Sequence, residues 1–192
     1  AHAVLAEKSA LVSLAVPDPR DGARMSNRVR VVEELASQVG DERIVEGWVE
    51  GPIAEASDLR GINRFMIDLF DDERFVCELL EFVFEMEMRY AGAQVEAGAD
   101  VIGIGDAACS LIGGALYERF GLEYHVRFVK RIHELGALAR LHICGDCSFV
   151  LPHLPEIGAD VMDLDSMVSV AEGRKHGGEG QVLTGNIDPV RV

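Results

Sequence analysis

Twice in this chain a helical stretch ends in Gly-Ala-Asp, at 98–100 and at 158–160, and a short apolar run follows at once. The first run is Val101-Ile102-Gly103-Ile104 and the second is Val161-Met162-Asp163-Leu164-Asp165. A 3.6-period stretch feeding a short apolar run, repeated along a chain, is the pattern of βαβ units around a parallel sheet. The same alternation predicts strands at 11–16, 43–49, 100–105, 138–143, 161–165 and 182–186. Helical periodicity fills the gaps at 28–39, 58–69 with a break at Gly61, 73–96, 117–135, 151–157 and 168–175.

Polar residues gather at the carboxyl ends of these strands: Glu50, Asp106, His142 with Cys144, Asp165, and Asn186 with Asp188. In a (β/α)8 barrel that end is the catalytic face. A doubly wound sheet also binds ligands at its strand ends. A nucleotide site is discounted, because Gly103-Ile104-Gly105 lacks a third glycine and an immediate helix. A barrel needs eight strands and typically ~250 residues. Six strands in 192 residues therefore read as a partial α/β barrel, with 1–192 as one incomplete domain.

The strand at 138–143 carries the sharpest chemical signal. His142 and Cys144 stand two residues apart, so on a strand they face the same way, and Gly145 follows. Zinc accepts that mixture of nitrogen and sulfur donors. Spacing alone also allows a buried cysteine beside a hydrogen-bonded histidine. Asp106 reads as a substrate-facing carboxylate or as a helix cap. Asn186 and Asp188 face a pocket or fix the turn before Pro189, and the turn suits Asp188 better. Cys144-Gly145-Asp146-Cys147 is formally C-x-x-C, although a redox pair of that kind belongs at a helix N-terminus in another fold. Cys77 and Cys109 read as structural, His133 as a solvated helix residue, His125, His153 and His176 show no partner signal, and Trp48 reads as packing near a strand end.

Charge narrows the function classes. Lys plus Arg number 18 and Asp plus Glu 33, a formal net charge of −15. Such a surface repels phosphate backbones and anionic lipid, which argues against nucleic-acid binding. No apolar run approaches the ~20 residues of a membrane span. The opening residues carry Glu7 and Lys8 rather than a signal-peptide core, so a cytoplasmic location is expected. The four cysteines are too few and scattered for a secreted disulfide framework.

Glu50-Gly51-Pro52, Gly98-Ala99-Asp100 with Gly105-Asp106, Leu141-His142-Ile143-Cys144-Gly145, Gly158-Ala159-Asp160 and Gly185-Asn186-Ile187-Asp188-Pro189 occur in this order. Together they resemble the uroporphyrinogen decarboxylase superfamily, most closely its corrinoid-dependent methyltransferase branch of the methylcobamide:coenzyme M type. The resemblance runs along essentially the whole chain, and its most specific parts are L-H-I-C-G and G-N-x-D-P. It implies a (β/α)8 barrel of which this chain is a middle and later portion. It implies zinc held by His142 and Cys144 and by a later cysteine expected beyond Val192, a position that Cys147 does not match. A carboxylate of the next strand completes such a site when substrate is absent; Asp165 is the first candidate and Asp163 the second. Asp106 and Asp165 are thus the expected catalytic carboxylates, and Asn186 the expected cofactor contact. The implied reaction moves a methyl group between a corrinoid (cobalamin) carried by a partner protein and a thiol or other small-molecule methyl donor or acceptor.

Two alternatives stand beside it. The first is the decarboxylase itself, which works on a porphyrin precursor without cofactor and without zinc. Its substrate-binding carboxylate and arginines lie largely in a family region not matched here. The second is a non-catalytic fragment whose open sheet edges and apolar helix faces favour a homodimer or a swapped pair.

Overall fold

The computed structural model describes residues 3–21, 23–178, 180–188 and 190–191. Its sheet is built on the two Gly-Ala-Asp motifs. The backbone N–H of Asp100 donates to the Val45 carbonyl at 2.8 Å, while its carboxylate accepts the Val45 N–H at 2.8 Å. Asp160 repeats this on Ala139, at 2.9 and 2.8 Å. Each aspartate thereby ties the start of its own strand to the start of the preceding one. On the far side their carbonyls accept the N–H of Leu138 and of Val182, both at 2.9 Å, so each motif also seats the next strand.

The strands so aligned are β1 (Glu46–Glu50), β2 (Val101–Gly105), β3 (Leu138–His142), β4 (Val161–Leu164) and β5 (Val182–Gly185). They form one parallel sheet in the order β1-β2-β3-β4-β5. Right-handed crossovers in an unreversed order put every connecting helix on one face. This is a segment of a barrel wall; a doubly wound sheet would reverse its order partway.

The connections are helical. Chain order is α1 (Ala23–Val39) before β1; α2 (Pro52–Arg60), α3 (Ile62–Asp71) and α4 (Glu73–Glu96) before β2; and α5 (Gly113–Leu116), a π turn (Tyr117–Gly121) and α6 (Leu122–Leu135) before β3. A 3₁₀ turn (Ser148–His153) and α7 (Leu154–Ile157) lead to β4, and α8 (Val170–His176) to β5. Val49, Ile102, Ile104, Ala139, Leu141, Met162 and Leu164 are buried beneath these helices. Asp72 starts α4 by accepting the Phe75 N–H at 3.2 Å. From there Phe75, Val76, Leu79, Leu80, Val83 and Tyr90 recur at helical spacing on the buried face. Among the described residues, no helix is long and apolar enough to cross a membrane.

The expected strand at 11–16 is not one. Lys8–Ser13 is a 3₁₀ turn, and Val12 is 92% exposed. Lys8 pairs with Asp68 and Asp72 at 2.7 and 2.8 Å, and Arg60 holds the carbonyls of Leu5 and Ala6. This segment is therefore bound to helices, and among the described residues the sheet has five strands rather than six. The outer edge of β1 is closed by side chains of α4. Gln94 accepts the Trp48 N–H at 2.9 Å and donates to the Trp48 carbonyl at 3.0 Å, and Glu87 accepts the Glu50 N–H at 3.3 Å. A short apolar run fixes neither its conformation nor its partner.

Two close approaches shape the inner face. Trp48 lies flat across β2, so a Cβ on Gly103 would fall 2.2 Å from Trp48 Cε3 and one on Gly105 2.6 Å from Trp48 Cζ2. Gly51, at the N-cap of α2, offers no side chain to the helix. Asp106 fills that role from β2, taking the N–H of Ala54 at 2.6 Å and of Ile53 at 3.4 Å. A Cβ on Gly51 would meet Asp106 Cβ at 2.3 Å.

Gly103→Val should lower the unfolding free energy by about 1–3 kcal/mol in urea titrations, the cost of overpacking. Gly92→Ala is the control: its added Cβ meets only Leu135 Cδ2 at 3.7 Å, and better helix propensity should raise stability by about 0.5–1 kcal/mol. Asp106→Ala should cost about 3 kcal/mol in the same titration, because it leaves buried donors unpaired.

Candidate functional site

Parallel register lines up one row across the sheet: Glu50 with Gly105, Gly105 with His142, His142 with Asp163, and Asp163 with Thr184. Side chains of this row stand on the face away from the helices. The row below contains Trp48, Gly103 and Arg140. The site is thus a property of register.

Asp163 is its electrostatic centre. Arg140 donates to Asp163 Oδ2 through Nε at 2.8 Å and reaches Glu46 at 2.9 Å through its other arm. The Thr184 hydroxyl donates to Asp163 Oδ1. Burial alone would raise this carboxyl. Hydrogen bonds from His142, Arg140 and Thr184 outweigh it and hold Asp163 at about 2.

His142 Nδ1 faces Asp163 Oδ2 at 3.4 Å, and its Nε2 lies 3.1 Å from Cys144 Sγ. A proton on Nδ1, turned to the carboxylate, leaves the Nε2 lone pair directed at the sulfur. The Trp48 ring walls the pair at 6.3 Å between ring centroids. Cys144 is exposed at the residue level. Partial burial, then Asp165, then Glu50 push its thiol up. A bare thiolate is disfavoured there, and a cation would reverse that.

The other expected residues have defined places. Asp165 Oδ2 accepts the Gly145 N–H at 2.9 Å, and Oδ1 accepts the Met167 N–H at 3.0 Å. Those bonds hold its carboxyl low and fix the turn just after Cys144. Asn186 donates from its amide to the Val168 carbonyl, linking the β5 end to the β4 loop. Asp188 accepts the Val190 N–H at 2.9 Å; Pro189 lies outside the described residues. Cys147 is buried, with a thiol that desolvation pushes up to about 11, so the C-x-x-C lacks the activated thiolate of a redox pair. Asp106 is fully buried; its backbone N–H donates to the His142 carbonyl at 2.8 Å, while its carboxylate belongs to the scaffold described above.

One cluster was not expected. Asp106 Oδ2 lies 2.9 Å from His125 Nε2, and His125 Nδ1 lies 3.1 Å from the Tyr117 hydroxyl. All three are buried, as is Cys109 beside them. Donor atoms of Asp106, Cys109 and His125 lie within 4.8 Å of one another, close enough to hold a metal ion. Both histidine nitrogens already have partners, the Tyr117 hydroxyl at Nδ1 and the Asp106 carboxylate at Nε2. The signal for His125 was its spacing, three before Phe128, four before Val129 and seven before Ile132 on the buried stripe of α6.

Comparison with known proteins places this geometry in context. The family model described as uroporphyrinogen decarboxylase (URO-D) matches residues 2–192. A methylcobamide:CoM methyltransferase, MtbA, of Methanosarcina mazei is 33% identical over 174 residues, covering 90% of this chain and 51% of that protein. A uroporphyrinogen decarboxylase of Microcystis aeruginosa is 28% identical over 168 residues, covering 83% and 47%. Among solved structures, a methyltransferase from Methanosarcina mazei superposes with a TM-score of 0.84 at 27% identity, over 92% of this chain and 53% of that one. The chain spans about half the length of the curated relatives it matches. With a match along nearly its whole length and a five-stranded segment of the same barrel, the chain belongs to the uroporphyrinogen decarboxylase family.

Proposed function

We propose that this chain carries part of a metal-thiol methyl-transfer site, working between a corrinoid held by a partner protein and a small thiol. The observation that supports this reading most is the convergence of His142 Nε2 and Cys144 Sγ at 3.1 Å, with Asp163 backing the other imidazole nitrogen. Imidazole and thiolate suit zinc, and a carboxylate behind the histidine is the usual support of such a ligand. The pair's exposed placement at the carboxyl end of β3 suits a site that a substrate must reach. The names of the methyltransferase relatives supply the corrinoid and the thiol.

In this reading His142 and Cys144 are metal ligands. Asp165 stands across the Gly145 turn as the carboxylate that completes the site in the absence of substrate. A later cysteine, outside these residues, is the remaining ligand. Zinc bound there would supply a Lewis acid that keeps the substrate thiol deprotonated at neutral pH. Asp163 fixes the tautomer and direction of His142, and Arg140 and Thr184 keep Asp163 anionic. Trp48 closes one wall against water. Asn186 holds the neighbouring loop and offers its remaining amide oxygen toward a cofactor. Asp106 acts as a positioning residue, setting the start of α2 beside the strand ends.

Zinc measured per chain by elemental analysis should disappear with His142→Ala and with Cys144→Ser. Asp163→Asn should keep the fold by circular dichroism yet weaken zinc 10–100-fold in chelator competition, the usual cost of a lost supporting carboxylate. Zinc affinity should also rise with pH, because binding expels the Cys144 proton. Absence of zinc from a form extended past Val192 to include the later cysteine would sink this reading, and porphyrinogen decarboxylation would become the assay to run.

A further inference from the structure

Tyr117, His125 and Asp106 lie where α6 meets the carboxyl end of β2, and each is 0% exposed. Elements of this chain close over them, so their contacts do not depend on an open sheet edge. The group starts from the π turn Tyr117–Gly121. That turn seats the Tyr117 ring over Gly121, where a Cβ would fall 2.6 Å from Tyr117 Cδ2. A single π turn within a helix often marks a functional position. Here it brings the phenol oxygen to 3.1 Å from His125 Nδ1, eight residues further on. His125 Nε2 in turn lies 2.9 Å from Asp106 Oδ2.

Asp106 carries this connection to the strand ends. Its backbone N–H donates to the His142 carbonyl at 2.8 Å, and its own carbonyl accepts the Cys109 N–H at 3.1 Å. The second bond starts the 3₁₀ turn Cys109–Leu111. Ser110, in that turn, packs against Gly145: a Cβ there would fall 3.0 Å from Ser110 Oγ and 3.4 Å from Ser110 Cβ. Gly145 turns the chain just after Cys144 with a φ of 82°. Tyr117 reaches the same loop further along, its ring edge-on to Phe149 at 5.3 Å between centroids. His142 and the turn after Cys144 thus both rest on the loop 106–112, and the His125 imidazole ties that loop to α6.

The close approach of Asp106, Cys109 and His125 raises a metal site as the rival use of these groups. A metal ion seated there would have to part the Asp106–His125 contact, and it would find both histidine nitrogens already engaged. We propose instead that His125, oriented by Tyr117, is a positioning residue for the His142–Cys144 pair. It holds the Asp106 carboxylate, and Asp106 holds the end of β3 and the loop beside Gly145. The action is geometric, and no proton moves. Its functional consequence rests on the metal-thiol reading; the contacts themselves involve no metal.

Three variants of the chain extended past Val192 test this. His125→Leu removes both ring nitrogens, His125→Gln keeps an amide donor near the place of Nε2, and Tyr117→Phe removes only the hydroxyl. Hydrogen exchange, resolved by residue, is measured first on metal-free protein. In His125→Leu the Asp106 and Gly145 amides should exchange about 10-fold faster relative to those of Asp100 and Asp160 at the far end of the sheet. A general loss of stability would quicken all four alike. Zinc, read by chelator competition, should weaken about 10-fold in His125→Leu and about 3-fold in Tyr117→Phe, and His125→Gln should recover most of the loss. Tyr117→Phe carries the test if His125→Leu does not fold. Unchanged zinc affinity, equal quickening of all four amides, or no recovery with glutamine would each overturn the proposal. So would a second equivalent of zinc lost with His125→Leu, which would make the cluster a metal site. If the unaltered extended chain binds no zinc, the metal-thiol reading falls, and exchange at Asp106 and Gly145 alone decides whether His125 positions the pair.

Discussion

The hydrogen-bonded rings made by Asp100 and Asp160 are what the site depends on. Each uses a backbone donor and a side-chain acceptor on a single residue of the preceding strand, Val45 or Ala139. A slip of one residue would break both bonds and send every side chain to the opposite face. His142, Asp163 and Thr184 would then lie under the helices, where two ionisable groups would lack solvent and partners. The row that joins Glu50 to Thr184 exists because two aspartates at the far end of the sheet fix its phase.

The sequence carried some of this openly. Gly-Ala-Asp marked where helices end and strands begin, because a glycine C-cap and a short apolar run are local signals. His142 and Cys144 were visible as a closely spaced donor pair, although the strand ends at His142 and Cys144 lies two residues beyond it. What failed to show was tertiary. The run at 11–16 is as apolar as a strand, but the β1 edge it would need is occupied by Gln94 and Glu87 from α4. Asp106 looked like a residue of the catalytic face. Its carboxylate is turned to Ala54 and His125, from segments 52 and 19 residues away in sequence. No spacing rule connects Gly51, which lacks a capping side chain, to the aspartate that supplies one.

Asp163 and Glu87 make the useful comparison. Both are carboxylates at least nine-tenths buried, yet one is held at about 2 and the other pushed up to about 8. Desolvation is the leading influence on each and acts in the same direction. The difference lies in donors. Asp163 receives a guanidinium, a hydroxyl and an imidazole; Glu87 receives one distant amide. A buried charge is tolerated where the fold brings donors to it, and elsewhere the group keeps its proton.

That contrast separates scaffold from site. Asp163 and Asp106 are carboxylates whose hydrogen bonds the protein itself completes, with Arg140 and Thr184 on one and Ala54 and His125 on the other. The His142–Cys144 pair instead keeps a nitrogen and a sulfur turned toward one another at an exposed strand end. Groups with unused bonding capacity are where a ligand gains most, because its contacts replace none that the fold already makes. On this reasoning the proposed metal-thiol chemistry belongs at the His142–Cys144 pair. Trp48, packed against Gly103 and Gly105, stands beside the histidine of that pair.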